Sequence, residues 1–399
     1  MPPKVSVPES WEPNPLGDLC SLLNGYAFKP RDWSSTGTPI IRIQNLNGGL
    51  DFNYYKGPIL PQYEVEPGTL LFAWSGNRGT SFGPFIWKGP KGLLNQHIFK
   101  VFPSNGVDLN WFYFALDEVR QRVERDAHGA IGLVHVRRGE LESYVVLTPE
   151  ETEQKAITRV LQNLDEAIQQ TTAVIEKLKK IKSGLLHDLL TRGIGENGEL
   201  RDPVQHPERF KDSPVGKVPK PWEVKTLGQA ATLQRGKDLP INKRRPGKIP
   251  VFGSNGIDGF HDEPFLNGPG VITGRSGSIG FVYYSEDPYW PLNTTLYVRD
   301  FHSNYPPFIT HLLRWLRLER FAAATGVPSL NRNFVHPTLV STPPHEEQIL
   351  IVQRLQAHDI RAEAEERSLG KLKLIKQGLM HDLLTGHVRA PMKRREGKL

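Results

Sequence analysis

Residues 147–194 recur without a gap as residues 341–388, and twenty of the 48 aligned positions are identical. The shared positions include Thr148-Pro149 and Thr342-Pro343, then Glu153-Gln154 and Glu347-Gln348. At the far end, Lys182-x-Gly184-Leu185-x-His187-Asp188-Leu189-Leu190-Thr191 matches Lys376-x-Gly378-Leu379-x-His381-Asp382-Leu383-Leu384-Thr385. The sequence ahead of each copy has diverged almost beyond alignment. Two near-identical segments imply one partner met twice, and two diverged globular segments imply two different ligands. In a chain of 399 residues this repeat marks off two halves of ordinary domain size.

Pro149 opens a long helix, with Glu150, Glu151 and Glu153 placed where carboxylates favour the positive end of the helix dipole. Its apolar seam runs Ile157, Leu161, Leu164, Ile168, Thr171, Ile175, Leu178, with three- and four-residue steps typical of a coiled-coil stripe. The second copy places Ile351, Leu355, His358, Ala362, Glu365, Leu369 and Leu372 at the same positions, so its more polar middle predicts looser pairing there. Mutual antiparallel packing is the arrangement expected to bury both seams, holding the modules apart at opposite ends.

The globular segments read as mixed α/β. Short apolar runs such as those at Pro39–Ile43 and Thr69–Trp74 are bounded by Gly, Asn and Pro, the signature of strands and turns. Helical spacing is expected over 110–125 and again over 310–324. Trp222, Leu227-Gly228, Leu233 and Gly236 repeat the spacing of Trp11, Leu16-Gly17, Leu22 and Gly25. The expected fold class is therefore α/β (α+β): two mixed modules and two long antiparallel helices with a pseudo-twofold repeat. The boundaries are 1–148 for the first module, 149–192 for its helix and 193–221 for a linker. Residues 222–342 form the second module, 343–385 its helix and 386–399 a basic tail.

Charge narrows the function classes. Residues 1–148 carry 14 basic and 14 acidic side chains, and residues 193–342 carry 18 and 14. So small an excess does not support tight indiscriminate phosphate binding, because each neutralised phosphate contributes separately to affinity. Cys20 is the one cysteine, which excludes an internal disulfide and fits a reducing compartment. No run approaches the roughly 20 apolar residues that span a bilayer, and the opening residues lack the apolar core of a secretory signal. A cytoplasmic location is expected.

Several catalytic motifs come close and fail. Tyr305-Pro-Pro-Phe308 has a tyrosine where an amino-methyltransferase site needs a hydrogen-bonding Asp or Asn. His187-Asp188 and His381-Asp382 would need further distant ligands to hold a metal. Glu223-Val-Lys225 is the loosest of nuclease patterns, and Gly274–Ser278 ends in Ser where a nucleophile elbow needs Gly. No phosphate-cradling Gly-x4-Gly-Lys run is present.

The positive signal lies in loop residues suited to base edges, since Arg reads guanine, Asn and Gln read adenine, and Ser or Thr serves either. In the first module these are Arg42, Gln44, Asn45 and Asn47; Ser75, Asn77 and Arg78; and Gln96 and His97 beside Asn95. The second module offers Arg235 and Lys237; Ser254 and Asn255; Arg275, Ser276 and Ser278; Asn293 and Thr294; and Asn331 and Arg332. Each taken alone is more often a solvated loop residue or a turn former, and their recurrence at corresponding places in both modules brings the binding reading level with that one. The run 242–248 is a phosphate-contact candidate or a solvated charge run.

The helix segments, with Asn-Gly-Tyr-Ala-Phe-Lys at 24–29, Leu-Asn-Gln-His-Ile-Phe-Lys at 94–100 and Arg-Ser-Gly-Ser-Ile-Gly at 275–280, resemble a type I restriction–modification specificity subunit over about residues 10–390. The resemblance implies that each module is a target-recognition domain reading one half of a bipartite double-stranded DNA target. It implies helices that set the spacing and dock two methyltransferase subunits, with motor–nuclease subunits joining the complex. It also implies a non-catalytic chain without a cofactor, since S-adenosylmethionine, ATP and Mg belong to the partners. The rival readings are a free-standing nuclease or methyltransferase, and a coiled-coil scaffold that touches no nucleic acid.

Overall fold

The computed structural model describes residues 8–58, 61–126, 133–322 and 328–391. The chain divides into two compact units: unit 1 runs to Thr171 and resumes at Ser368, and unit 2 is Thr172–Arg367. The basic run Lys393-Arg394-Arg395 lies outside the described residues.

The two units repeat one topology. In unit 1 the ribbon Glu12–Pro15 pairs antiparallel with Val145–Thr148, tying the start of the module to its end. Strands β1 (Cys20–Asn24), β2 (Leu70–Ala73), β3 (Gly83–Ile86) and β4 (Ile98–Pro103) form an antiparallel sheet in the order β1-β4-β2-β3. Helix Leu109–Asp126 buries Trp111, Phe112, Ala115, Leu116 and Val119 in a core shared with Leu22, Phe72 and Phe99. In unit 2 the ribbon is Glu223–Thr226 with Leu339–Thr342. Its sheet runs β5-β8-β6-β7, from β5 (Thr232–Arg235), β6 (Gly270–Gly274), β7 (Val282–Ser285) and β8 (Thr295–Asp300).

The helix expected over 310–324 starts earlier and ends earlier, at Pro306–Trp315. Pro306 and Pro307 fill its first turn, where a missing N–H costs nothing, and Arg317 at φ +51 ends the run before a 3-10 turn at Leu318–Phe321. This places Tyr305-Pro-Pro-Phe308 in a structural role, with Tyr305 at the N-cap and Phe308 fully buried.

The repeated segments form long helices, Glu151–Thr191 and His345–Leu384. Unit 1 contains the first turns of one and the last turns of the other, running antiparallel. Ile157 and Leu161 join Met380, Leu383 and Leu384 in the unit 1 core. Unit 2 holds the complementary ends, with Leu189 and Leu190 in one core with Ile351 and Leu355. The repeated residues therefore close the two modules, each module packing the start of its own helix and the end of the other.

The identities act as joints. Glu153 is buried and accepts Trp11 Nε1 at 3.0 Å and the guanidinium of Arg389. Its repeat mate Glu347 accepts Trp222 Nε1 at 3.1 Å and a bidentate pair from Arg201. Gln154 donates to the Pro149 carbonyl and accepts the Asp108 amide ahead of the module helix; Gln348 does the same with Pro343 and Tyr305. A carboxylate removed from water is tolerable only when paired and hydrogen-bonded, and both glutamates are. Lys376 meets Asp165 in unit 1, and Lys182 meets Asp359 in unit 2, so two repeat positions supply both ion pairs.

Midway the identities lapse. His358, in place of Leu164, has a buried Nδ1 without a hydrogen-bond partner, and Ala362 and Glu365 are only half-buried. The stretch 193–221, read from composition as a linker, is folded: Ile194, Phe210 and Val218 are buried and Phe210–Lys211 pairs with Val218–Pro219. Among the described residues no helix is long and apolar enough to cross a membrane. Cys20 is buried, and burial with the nearby charge of Glu142 pushes its thiol up to about 12, so it behaves as a small core side chain.

Candidate nucleic-acid interface

In unit 2 the ends of β5, β6 and β8 and the segment leading into the short helix Arg332–Val335 line an open cavity of about 580 Å³. Its wall holds four arginines, Arg235, Arg275, Arg299 and Arg332, with Gln234, Ser329 and Asn331, and no carboxylate. Three guanidiniums are positioned by acceptors. Arg275 Nη1 donates to the Asn293 carbonyl at 3.2 Å, Arg332 Nη1 to the Leu233 carbonyl at 3.3 Å, and Arg299 Nη1 to Gln234 Oε1 at 3.3 Å. A guanidinium has five donors, so each keeps others free for an incoming acceptor. His336 Nε2 accepts the Leu233 amide, and burial together with the Arg332 charge holds its imidazole below the ordinary range. It therefore adds a dipole and no further charge.

Backbone geometry sets the Arg275 loop. A Cβ on Gly274 would sit 1.8 Å from the Ser278 carbonyl oxygen, so only glycine allows this close return. Arg275 and Ser276 donate their amides to the Thr294 carbonyl, Ser276 bridges Ser329, and Ser254 lies against Gly277.

Unit 1 carries different chemistry at the same strand ends. Trp74, just past β2, donates Nε1 to Asn24 Oδ1 at the end of β1. Its ring lies 4.8 Å from that of His97 and 6.5 Å from that of His135. His97 has a φ of +74, unusual for a side chain other than glycine, and its Nδ1 is buried without a partner, as is Asn95 Oδ1. Burial, and then the neighbouring His135, lower the His97 pKa.

The structure thus gathers Arg235, Arg275, Asn331 and Arg332 around one cavity, with Ser254, Ser276 and Thr294 in adjoining turns. Other sequence candidates have internal work. Asn45 is buried and holds a turn through the Arg42 amide and the Gly49 and Asp51 carbonyls. Arg42 bonds Asn53 and lies over Trp33, Gln44 reaches the Asp51 carbonyl, and Asn47 reaches that of Ile43. Lys237 lies over Phe265 and Trp290, and Asn293 bonds Asp238. In the run 242–248, Arg244 pairs with Asp258, and Arg245 with Asp262 and Glu263. Ser75 is buried on the strand Ser75–Asn77, Asn77 is exposed at its end and Arg78 in the turn after it, and Gln96 is half-buried beside His97. Asn255 is in the turn after Ile249–Gly253, and Ser278 lends its carbonyl to the Gly274 contact.

Sequence reasoning passed over Arg299, Gln234 and Ser329 in unit 2, and Asn24, Trp74 and His135 in unit 1. Arg299 was legible in principle: it ends the buried run Thr295–Val298 on the strand β8, where a charged side chain has left the core.

A duplicated α+β module, fused at its ends to long helices and bearing in its second copy an arginine-rich cavity at the strand ends, has the character of a binding protein with an anion-accepting site in unit 2. Residues 8–180 and 219–374 match the family model described as the type I restriction modification DNA specificity domain. The chain belongs to that family, the type I restriction–modification specificity subunits. The MjaVIII specificity subunit of Methanocaldococcus jannaschii is 23% identical over 96% of this chain and 94% of its own length. The solved S subunit from M. genitalium superposes with a TM-score of 0.56 at 20% identity, covering 96% of this chain and 99% of that one. A chain solved in work on complex assembly and conformational transition of the type I R-M system gives 0.61 at 15% identity, covering 96% and 100%. At such identities the likeness to the solved chains is one of fold.

Proposed function

We propose that this chain is the DNA-reading subunit of a type I restriction–modification complex, each unit reading one half of an asymmetric bipartite target. The observation that carries this reading is the contrast at equivalent strand ends: four arginines in unit 2, three of them positioned by acceptors, and Trp74, His97, His135 and Asn24 in unit 1. Arginine forks suit guanine N7 and O6 or phosphate, whereas the unit 1 set offers aromatic, imidazole and amide contacts. Different walls in one scaffold suit different half-sites. In this reading the long helices set the interval between half-sites and dock two methyltransferase subunits, and motor–nuclease subunits complete the assembly. S-adenosylmethionine, ATP and Mg serve those partners, and this chain contributes recognition without catalysis.

The test is an exchange of residues 1–148 for the corresponding module of a relative, followed by genome-wide mapping of methylated sites in cells with the partner subunits. One half of the target is expected to change. A change in both halves overturns the assignment, and so does strand cleavage or methyl transfer by the purified chain alone with DNA, Mg²⁺ and S-adenosylmethionine.

A further inference from the structure

The second long helix ends at Leu384, and the chain then turns back on itself. Gly386 takes a φ of +74, packing against Pro8 and Trp11, while the amides of Thr385 and Val388 return to the carbonyls of His381 and Asp382. Arg389 holds the returning segment through Glu153, and Ala390 is buried. This reversal carries His387 to the last helical turn. One ligand atom each of His381, Asp382 and His387 then lies within 4.8 Å of the others. His387 Nδ1 is 3.8 Å from Asp382 Oδ1, and the two imidazoles meet edge to face at 5.1 Å.

We propose that His381, Asp382 and His387 bind one divalent transition-metal ion of the Zn²⁺ class, pinning the reversed segment to the helix end. Two imidazoles and a carboxylate form a donor set for such ions, with water completing the shell. Ligand bonds of about 2.0–2.2 Å bring tetrahedral donors to roughly 3.4 Å apart. His381 and His387 are exposed and Asp382 is half-buried, so the three donors are open to an incoming ion. Carbonyls of the last turn give this end of a helix partial negative charge, which favours a cation. The first copy is an internal control. It keeps His187-Asp188, but Gly193 stands where His387 would be, and Asp188 faces Arg192 at 3.5 Å.

The experiment uses the full chain without a polyhistidine tag, stripped with chelator and titrated with Co²⁺ followed by competing Zn²⁺. One equivalent of Co²⁺ with visible d–d absorption, displaced by Zn²⁺, is expected. His387→Ala is expected to weaken uptake at least about tenfold, with His187→Ala indistinguishable from the parent. Absence of saturable uptake, uptake that His387→Ala reduces by less than that, or uptake that His187→Ala removes overturns the proposal. Thermal unfolding gives a second readout, with Zn²⁺ raising the Tm of the parent and not of His387→Ala.

Discussion

The strand ends of unit 1 and unit 2 occupy the same place in one topology, yet a tryptophan–imidazole cluster faces the first and four arginines the second. The joints behind them are nearly interchangeable: Trp to Glu, Gln to the module helix, and Lys to Asp across the helix pair, in both units. Residues that fasten a module to its helices have stayed, and residues that line its open face have changed. The contrast teaches that scaffold and readout are separable here.

The sharpest way to break that equivalence is at the buried glutamates. Arg201 and Glu347 are both nearly enclosed, with side chains 11% and 9% exposed, whereas Arg389 is 52% exposed beside Glu153. Glu347→Ala leaves a buried guanidinium unpaired and is expected to cost about 3–5 kcal/mol. Glu153→Ala strands chiefly the Trp11 N–H, and should cost about 1–3 kcal/mol. Calorimetric unfolding of the two variants checks the order, and equal losses would contradict it.

Unit 2 is next expected to be acid-sensitive through His311. Burial, with the charges of Arg314 and Lys182 adding and Asp359 opposing, pulls its imidazole down to about 4. The unfolded ring takes up a proton near the ordinary value of 6.5 and the folded ring only near 4. Stability is therefore complete above pH 6.5 and falls by up to roughly 3 kcal/mol as pH drops through this window. Denaturation of His311→Leu across the same range should lack that slope.

Comparable in size, but confined to binding, is the effect of the arginine wall. Arg275→Ala should lower discrimination by about 1–3 kcal/mol within one half-site only. Competition binding by the partner-loaded complex, using duplexes altered in one half at a time, measures it. A uniform loss across sequences, with a salt slope shallower by about 0.9, would make Arg275 a phosphate contact instead. The smallest expected effects are Lys182→Met and Lys376→Met. Both remove half-exposed ion pairs and should cost about 0.2–1 kcal/mol each, alike within error in urea unfolding.

The fold was legible because a repeat, two helical seams and matching Trp, Leu and Gly spacings constrain topology strongly. The role of Glu153-Gln154 was not legible, since Trp11 and Arg389, which meet Glu153, and the Asp108 amide, which meets Gln154, lie far away along the chain. The site was legible only as chemistry. Residue type cannot separate an Asn that caps a turn, as Asn45 and Asn331 do, from one free to meet a base. Trp74 was hidden by its place at the end of an apolar strand, where it reads as core.

Asp165 finds its lysine in the second repeat, and Asp359 finds its own in the first. A gene encoding one head and one rod would already contain both complementary charges. Tandem copying of such a gene would satisfy each clasp at once, without a compensating mutation. Each head could then acquire its own vocabulary under separate selection.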